Sequence, residues 1–165
     1  MTHDSSEPPP LTFAEPGSTW AALAARFPAT GNWPIHVGGG HRERPWELDD
    51  DTRNLPLALI KVDDPADCLA ELGWSGAINA GMLGVDARVV LKSWQSRFGA
   101  YVHSTSGGSL SVRVTRPPRT IAEARLVARE HFHFCRYDSQ FHGMGGIAPS
   151  VATLVANHQW DFWWD

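Results

Sequence analysis

The sequence predicts an α+β domain in which helices pack on a mixed β-sheet. Three observations carry that expectation. Helical and strand patterns are interspersed, with one hairpin and several crossovers between them. The 165 residues are enough for one proper core and too few for two comfortable ones. The third is the run Trp160-Asp161-Phe162-Trp163-Trp164-Asp165, whose rings would be costly to leave in water. As a strand it places Trp160, Phe162 and Trp164 on one face and Asp161, Trp163 and Asp165 on the other. Aromatic rings on both faces predict an interior strand covered on both sides.

The elements follow in order. Residues 1–10, ending in Pro8-Pro9-Pro10, are expected to be a disordered lead-in, and residues 11–165 a single α+β domain. Ser18 predicts the cap of a helix reaching Phe27, stopped by Pro28 and Gly31. Trp33-Pro34-Ile35-His36-Val37 predicts a strand closed by Gly38-Gly39-Gly40, and residues 41–54 a polar surface loop. The apolar run from Leu55 to Val62 suits a buried strand. Asp64-Pro65 opens a short helix that Gly73 ends. Asp86 is expected to cap a helix whose apolar positions Ala87, Val90, Leu91, Trp94 and Phe98 keep helical spacing, with Gly99 ending it. Two strands about Ser106-Gly107-Gly108 make a hairpin; in the second, Leu110, Val112 and Val114 alternate with Ser111, Arg113 and Thr115, one face buried and one wet. Thr120-Ile121-Ala122-Glu123 is a capping-box sequence for a helix running to Phe134. Gly143 to Gly146 predicts a flexible loop, and a last helix starts near Pro149.

Composition sets bounds on function. The net charge of −4 argues against a general nucleic-acid binder. No apolar run approaches the ~20 residues of a membrane helix. The first ten residues lack the basic start and apolar middle of a signal peptide. Cys68 and Cys135 alone make no disulfide framework, so a cytoplasmic location is expected.

The sharpest chemical candidates lie in Glu130-His131-Phe132-His133-Phe134-Cys135, with Asp138 and His142 downstream. Histidine and thiolate are good zinc ligands, and His131 and Cys135 are one helical turn apart. Yet Ile121, Ala124, Ala128, His131 and Cys135 also form one apolar stripe, so a packed histidine and thiol is the simpler expectation. Cys135 as a nucleophile would need a histidine and a carboxylate such as Glu130 or Asp138, but no signature of a known cysteine hydrolase surrounds it. No metal or cofactor is expected. Gly38-Gly39-Gly40 lacks the helix and the lysine of a phosphate cradle, and Asp49-Asp50-Asp51 lacks calcium-loop spacing. Arg113, Arg116 and Arg119 read as a solvated basic edge. Trp74 lies in the Gly-flanked run Gly73-Trp74-Ser75-Gly76-Ala77-Ile78-Asn79, where an indole can line a pocket; Trp74, Asn79 and Asp165 are the pocket candidates.

These segments carry a resemblance. Gly73-Trp74, Gly76-Ala77 and Asn79 are followed by Trp94-Gln95-Ser96-Arg97-Phe98-Gly99-Ala100, Arg116-Pro117-Pro118-Arg119-Thr120, Ala128 through Cys135, and Phe162-Trp163-Trp164-Asp165. In this order they resemble the bacterial domain-of-unknown-function family 4253 over about residues 72–165, and Thr30-Gly31-Asn32-Trp33-Pro34 resembles its upstream strand. The resemblance implies no activity, cofactor or catalytic residue to carry over. Where the family pattern continues with proline and aspartate after Phe-Cys, this chain has Arg136-Tyr137-Asp138, and Gln95 replaces the usual glutamate. The expected function is therefore a non-enzymatic protein-binding module of immunity or regulatory type, with another protein as its partner and neither nucleic acid nor membrane. The alternative is an enzyme or metal-binding protein using Glu130, His131 and Cys135.

Overall fold

The computed structural model describes residues 11–38, 56–135 and 147–164. The expectations for the lead-in 1–10, the polar loop 41–54 and the segment from Gly143 to Gly146 lie outside these residues. In chain order the elements are β1 (Thr12–Phe13), α1 (Trp20–Ala25), α2 (Phe27–Thr30), β2 (Asn32–Gly38), β3 (Leu57–Lys61), a 3-10 turn (Pro65–Asp67) leading into α3 (Cys68–Leu72), and a second 3-10 turn (Ile78–Ala80). There follow α4 (Gly84–Phe98), β4 (Ala100–Ser106), β5 (Ser109–Val114), α5 (Ile121–Phe134), α6 (Ile147–Leu154) and β6 (Gln159–Trp163). The fold is α+β, on a mixed six-stranded sheet ordered β1-β3-β2-β4-β5-β6. Among the described residues only β2 and β4 run parallel; the other pairings are antiparallel.

Local chemistry explains the element ends. The Thr19 hydroxyl, not Ser18, caps α1 by accepting from the Ala22 amide. Asp64 accepts from the Ala66 amide and opens the 3-10 turn. Asp86 is not the cap of α4. The helix begins one turn earlier, and the Asp86 carboxylate reaches back to the Leu83 amide at 2.9 Å. Gly99 ends α4 with φ 61°, a left-handed conformation that glycine takes without a Cβ penalty. Thr120 accepts from the Glu123 amide, and the Glu123 carboxylate answers one residue further back than a standard box, at the Arg119 amide.

The terminal strand meets the core as its alternation requires. Trp160, Phe162 and Trp164 are all buried, while Asp161 and Trp163 are half-buried. Trp94 of α4 stacks on Phe162 (centroids 5.7 Å apart) and meets Trp160 edge-on at 5.4 Å. Phe134 of α5 meets Phe162 at 5.1 Å and Trp164 at 5.4 Å. Each such pair adds about 0.5–1.5 kcal/mol beyond its area burial. One expectation is corrected. Among the described residues β6 is an edge strand, paired only with β5, and not an interior one. The second aromatic face belongs to Trp163 alone, which is only half-buried.

Candidate functional site

The end of α5 separates the residues that sequence spacing brings together. His131 is 5% exposed and Cys135 is 0% exposed, so both face the core. The imidazole of His131 is enclosed by Trp160 (4.6 Å), Phe162 (4.8 Å) and Trp94 (5.1 Å). Burial pushes its pKa down to about 3, and its Nε2 has no hydrogen-bond partner among the described residues. The Cys135 thiol donates to the Trp163 carbonyl at 3.1 Å. Glu130 points away from them and holds Arg97 of α4 through both guanidinium ends, the Nη2 contact being 3.1 Å. Ile121, at the start of the same helix, is 48% exposed, so the buried stripe begins at Ala124. Asp138, His142 and Asp165 lie outside the described residues, as does the side chain of Asn79. No group of three or more potential metal ligands occurs among the described residues.

A cleft of about 510 Å³ lies elsewhere, at the carboxyl ends of the parallel pair β2 and β4. Its lining includes Leu11, Val37, Trp74, Ile78, Thr105 and Trp164, with glycine backbone between them. Crevices at strand carboxyl ends, where neighbouring connections diverge, are favoured ligand sites in open sheets. Trp74 and Trp164 meet edge-on at 5.3 Å and are 6% and 5% exposed. Neither indole N–H has a hydrogen-bond partner among the described residues. Backbone contacts lock this wall. The Trp164 amide donates to the Gly108 carbonyl at 2.8 Å. A Cβ on Gly76 would lie 2.4 Å from the Gly107 carbonyl oxygen, and one on Gly108 would lie 2.3 Å from that of Trp164. The Thr105 hydroxyl donates to the Ser109 carbonyl. Trp74 thus lines a concave site, whereas Glu130, His131 and Cys135 do not.

Residues 56–165 match the family described as "Domain of unknown function (DUF4253)". The chain belongs to this family. Neither the curated proteins nor the solved structures gave a match. The DUF4253 region runs from the start of β3 through β6 and supplies Trp74, Thr105 and Trp164. Leu11, Val37 and Gly38 come from before it. The cleft is therefore built jointly by the DUF4253 region and by Leu11 and the end of β2, which precede it.

Sequence patterns missed a second polar grouping. Arg113 does not join Arg116 in a solvated edge. It is half-buried and donates to Gln159, whereas Arg116 reaches the Ser96 carbonyl at 3.2 Å. The face of the DUF4253 sheet that bears Arg113 also carries Ser104, Ser111 and Asp161 in one cross-strand row. His36 joins that row by pairing with Ser104. The alternation in β5 signals a polar face, but only the register shows which residues share it.

Proposed function

We propose that the protein is a non-enzymatic binding module whose recognition site is the cleft walled by Trp74 and Trp164. Its occupant is a short extended segment of another protein that presents an apolar side chain. The observation that carries this is the pair of nearly buried indole N–H groups, without acceptors among the described residues, in a lining that joins the apolar side chains of Leu11, Val37, Leu72 and Ile78 to Ser75, Thr105 and glycine backbone. A peptide supplies both complements at once, a side chain for the rings and main-chain carbonyls for the two donors. The lining among the described residues contains no carboxylate, imidazole, thiol or cationic side chain, which favours recognition over acid–base or nucleophilic chemistry at this place. No helix among the described residues is long and apolar enough to cross a membrane. With two buried cysteines as thiols, we place this activity in the cytoplasm.

The test is affinity selection of a random heptapeptide library on the purified full chain. Selected peptides should share an apolar anchor and bind with micromolar Kd. They should lose at least tenfold in affinity to Ile78→Arg, a change at an exposed lining residue that leaves the core alone. Peptides that bind the variant as well as the native chain, or no enrichment at all, would overturn the proposal.

A further inference from the structure

The sheet face opposite the aromatic core carries a polar grouping that shares no residue with the cleft lining. Along β5, Leu110 and Val112 pair with Phe162 and Trp160 in the core, so the intervening Ser111 and Arg113 turn the other way. Ser111 is flanked by Ser104 on β4 and Asp161 on β6, and Arg113 by Tyr101 and Gln159. The register shift between Val102 and Ser104 inserts His103 beside them. The His103 ring lies 5.0 Å from that of His36 and 5.0 Å from that of Trp20, which itself stacks on Tyr101 at 5.2 Å. The floor is therefore β4 and β5, and the Trp20–Tyr101 stack forms one wall.

Three polar atoms on this floor are buried without a hydrogen-bond partner among the described residues: Ser111 Oγ, Arg113 Nε and His103 Nδ1. Ser111 is only 5% exposed. Leaving buried donors unmatched is costly, and most so beside a charge. Among the described residues Arg113 meets no carboxylate in an ion pair. Its Nη1 donates to the neutral amide oxygen of Gln159, whose own nitrogen donates to both Asp161 oxygens at 3.1 and 3.0 Å. Gln159 thus stands between the guanidinium and that carboxylate. With Nη1 committed, the Nε–Nη2 edge of Arg113 keeps its fork of N–H groups, the geometry that pairs with two oxygens of one anion.

We propose that this face binds a small oxyanion, a carboxylate or phosphate group, held by the Nε edge of Arg113, the Ser111 hydroxyl and the Nδ1–H of His103. One anion would supply an acceptor to all three unmatched atoms and a counter-charge to Arg113. Divalent metal is a poorer fit, because His36 and His103 gain no third ligand among the described residues. The protonation balance agrees. Burial first, then Arg113 and His36, hold the His103 pKa down at about 4, so at neutral pH the ring adds no second charge and serves as a neutral donor.

Sodium phosphate and sodium acetate, titrated separately into the isotopically labelled full chain against sodium chloride of equal ionic strength, test this. His103 side-chain and Ser111 and Arg113 amide resonances should move saturably with at least one oxyanion and not with chloride. Saturation by acetate alone marks a carboxylate ligand, by phosphate alone a phosphate, and by both a general oxyanion site. Arg113→Gln should weaken binding at least tenfold, and Ser111→Ala, the milder change should the first fail to fold, at least threefold. Shifts no larger than those in chloride, or saturation unchanged in a folded variant, would overturn the proposal and leave that for the cleft standing.

Discussion

His131 gives the most direct test of the packing argument. The imidazole sits in the last turn of α5, where the helix dipole favours the charged ring by at most about 2 kcal/mol. Enclosure by Trp94, Trp160 and Phe162 overrides this and lowers the pKa from 6.5 to about 3. Between those values the unfolded chain takes up a proton that the folded chain refuses. Stability is therefore highest above the ordinary value and falls as pH drops toward 3. One pKa unit corresponds to ~1.36 kcal/mol, so the loss between pH 7 and pH 5 is about 2 kcal/mol. His131→Phe keeps a flat ring in the box and removes the proton site. Urea unfolding of both proteins at the two pH values gives a double difference in which other titrating groups largely cancel. The native chain should lose about 2 kcal/mol more than the variant. A double difference below about 0.5 kcal/mol would refute the claim that this ring is held neutral by burial.

Four further outcomes follow from the same structure. Phe162→Ala, which removes a ring touching Trp94, His131, Phe134 and Trp164, should cost about 3–5 kcal/mol in denaturant unfolding; deletion of residues 162–165 should abolish the cooperative transition. Glu130→Ala should change stability by less than ~1 kcal/mol in the same assay, because the Arg97–Glu130 pair is more than a third exposed on both sides. Cys68, whose thiol burial pushes up to about 12, and the equally buried Cys135 should react with Ellman's reagent only on unfolding; rapid labelling of the native chain would contradict their burial.

The parts of this fold that were legible in the sequence depend on neighbours in the chain. The stripe through Ala87, Leu91 and Trp94 and the stop at Gly99 are local, and α4 follows them closely. The start of α4 was misplaced because Leu83 is no capping residue by type, and the carboxylate that serves it sits three positions on at Asp86. The edge position of β6 depends on strand order, to which the alternation of Trp160, Asp161 and Phe162 is blind. The same limit applied to the sites. Glu130, His131 and Cys135 are close in sequence, yet a helix turns the first outward and the other two inward. Trp74 stood out for its glycine-flanked setting, but its cleft partners Leu11, Val37, Thr105 and Trp164 come from four distant segments. His36, His103 and Arg113 meet only through the pairing of β2 with β4 and of β4 with β5.

The glycines around the cleft decide whether its wall is built or incidental. Gly76 faces the Gly107 carbonyl so closely that an added Cβ would sit 2.4 Å from that oxygen and 2.7 Å from the Trp74 indole nitrogen. Both neighbours resist displacement, one being backbone in the β4–β5 turn and the other part of a ring packed edge-on against Trp164. Gly76→Ala should therefore lose about 1–3 kcal/mol, the usual range for overpacking, and should shift the Trp74 ring and its fluorescence. Gly81→Ala is the matched control. It has φ 76° and nothing within 4 Å of an added Cβ, so its cost is backbone strain alone, roughly 1–2 kcal/mol, with no movement of either indole. If the cleft wall is held by backbone contact, only the Gly76 variant changes the tryptophan emission of the folded protein and weakens peptide capture. Equal emission from the two folded variants would mean that Trp74 is positioned by its own burial, and that the close approach of the hairpin turn has no part in shaping the site.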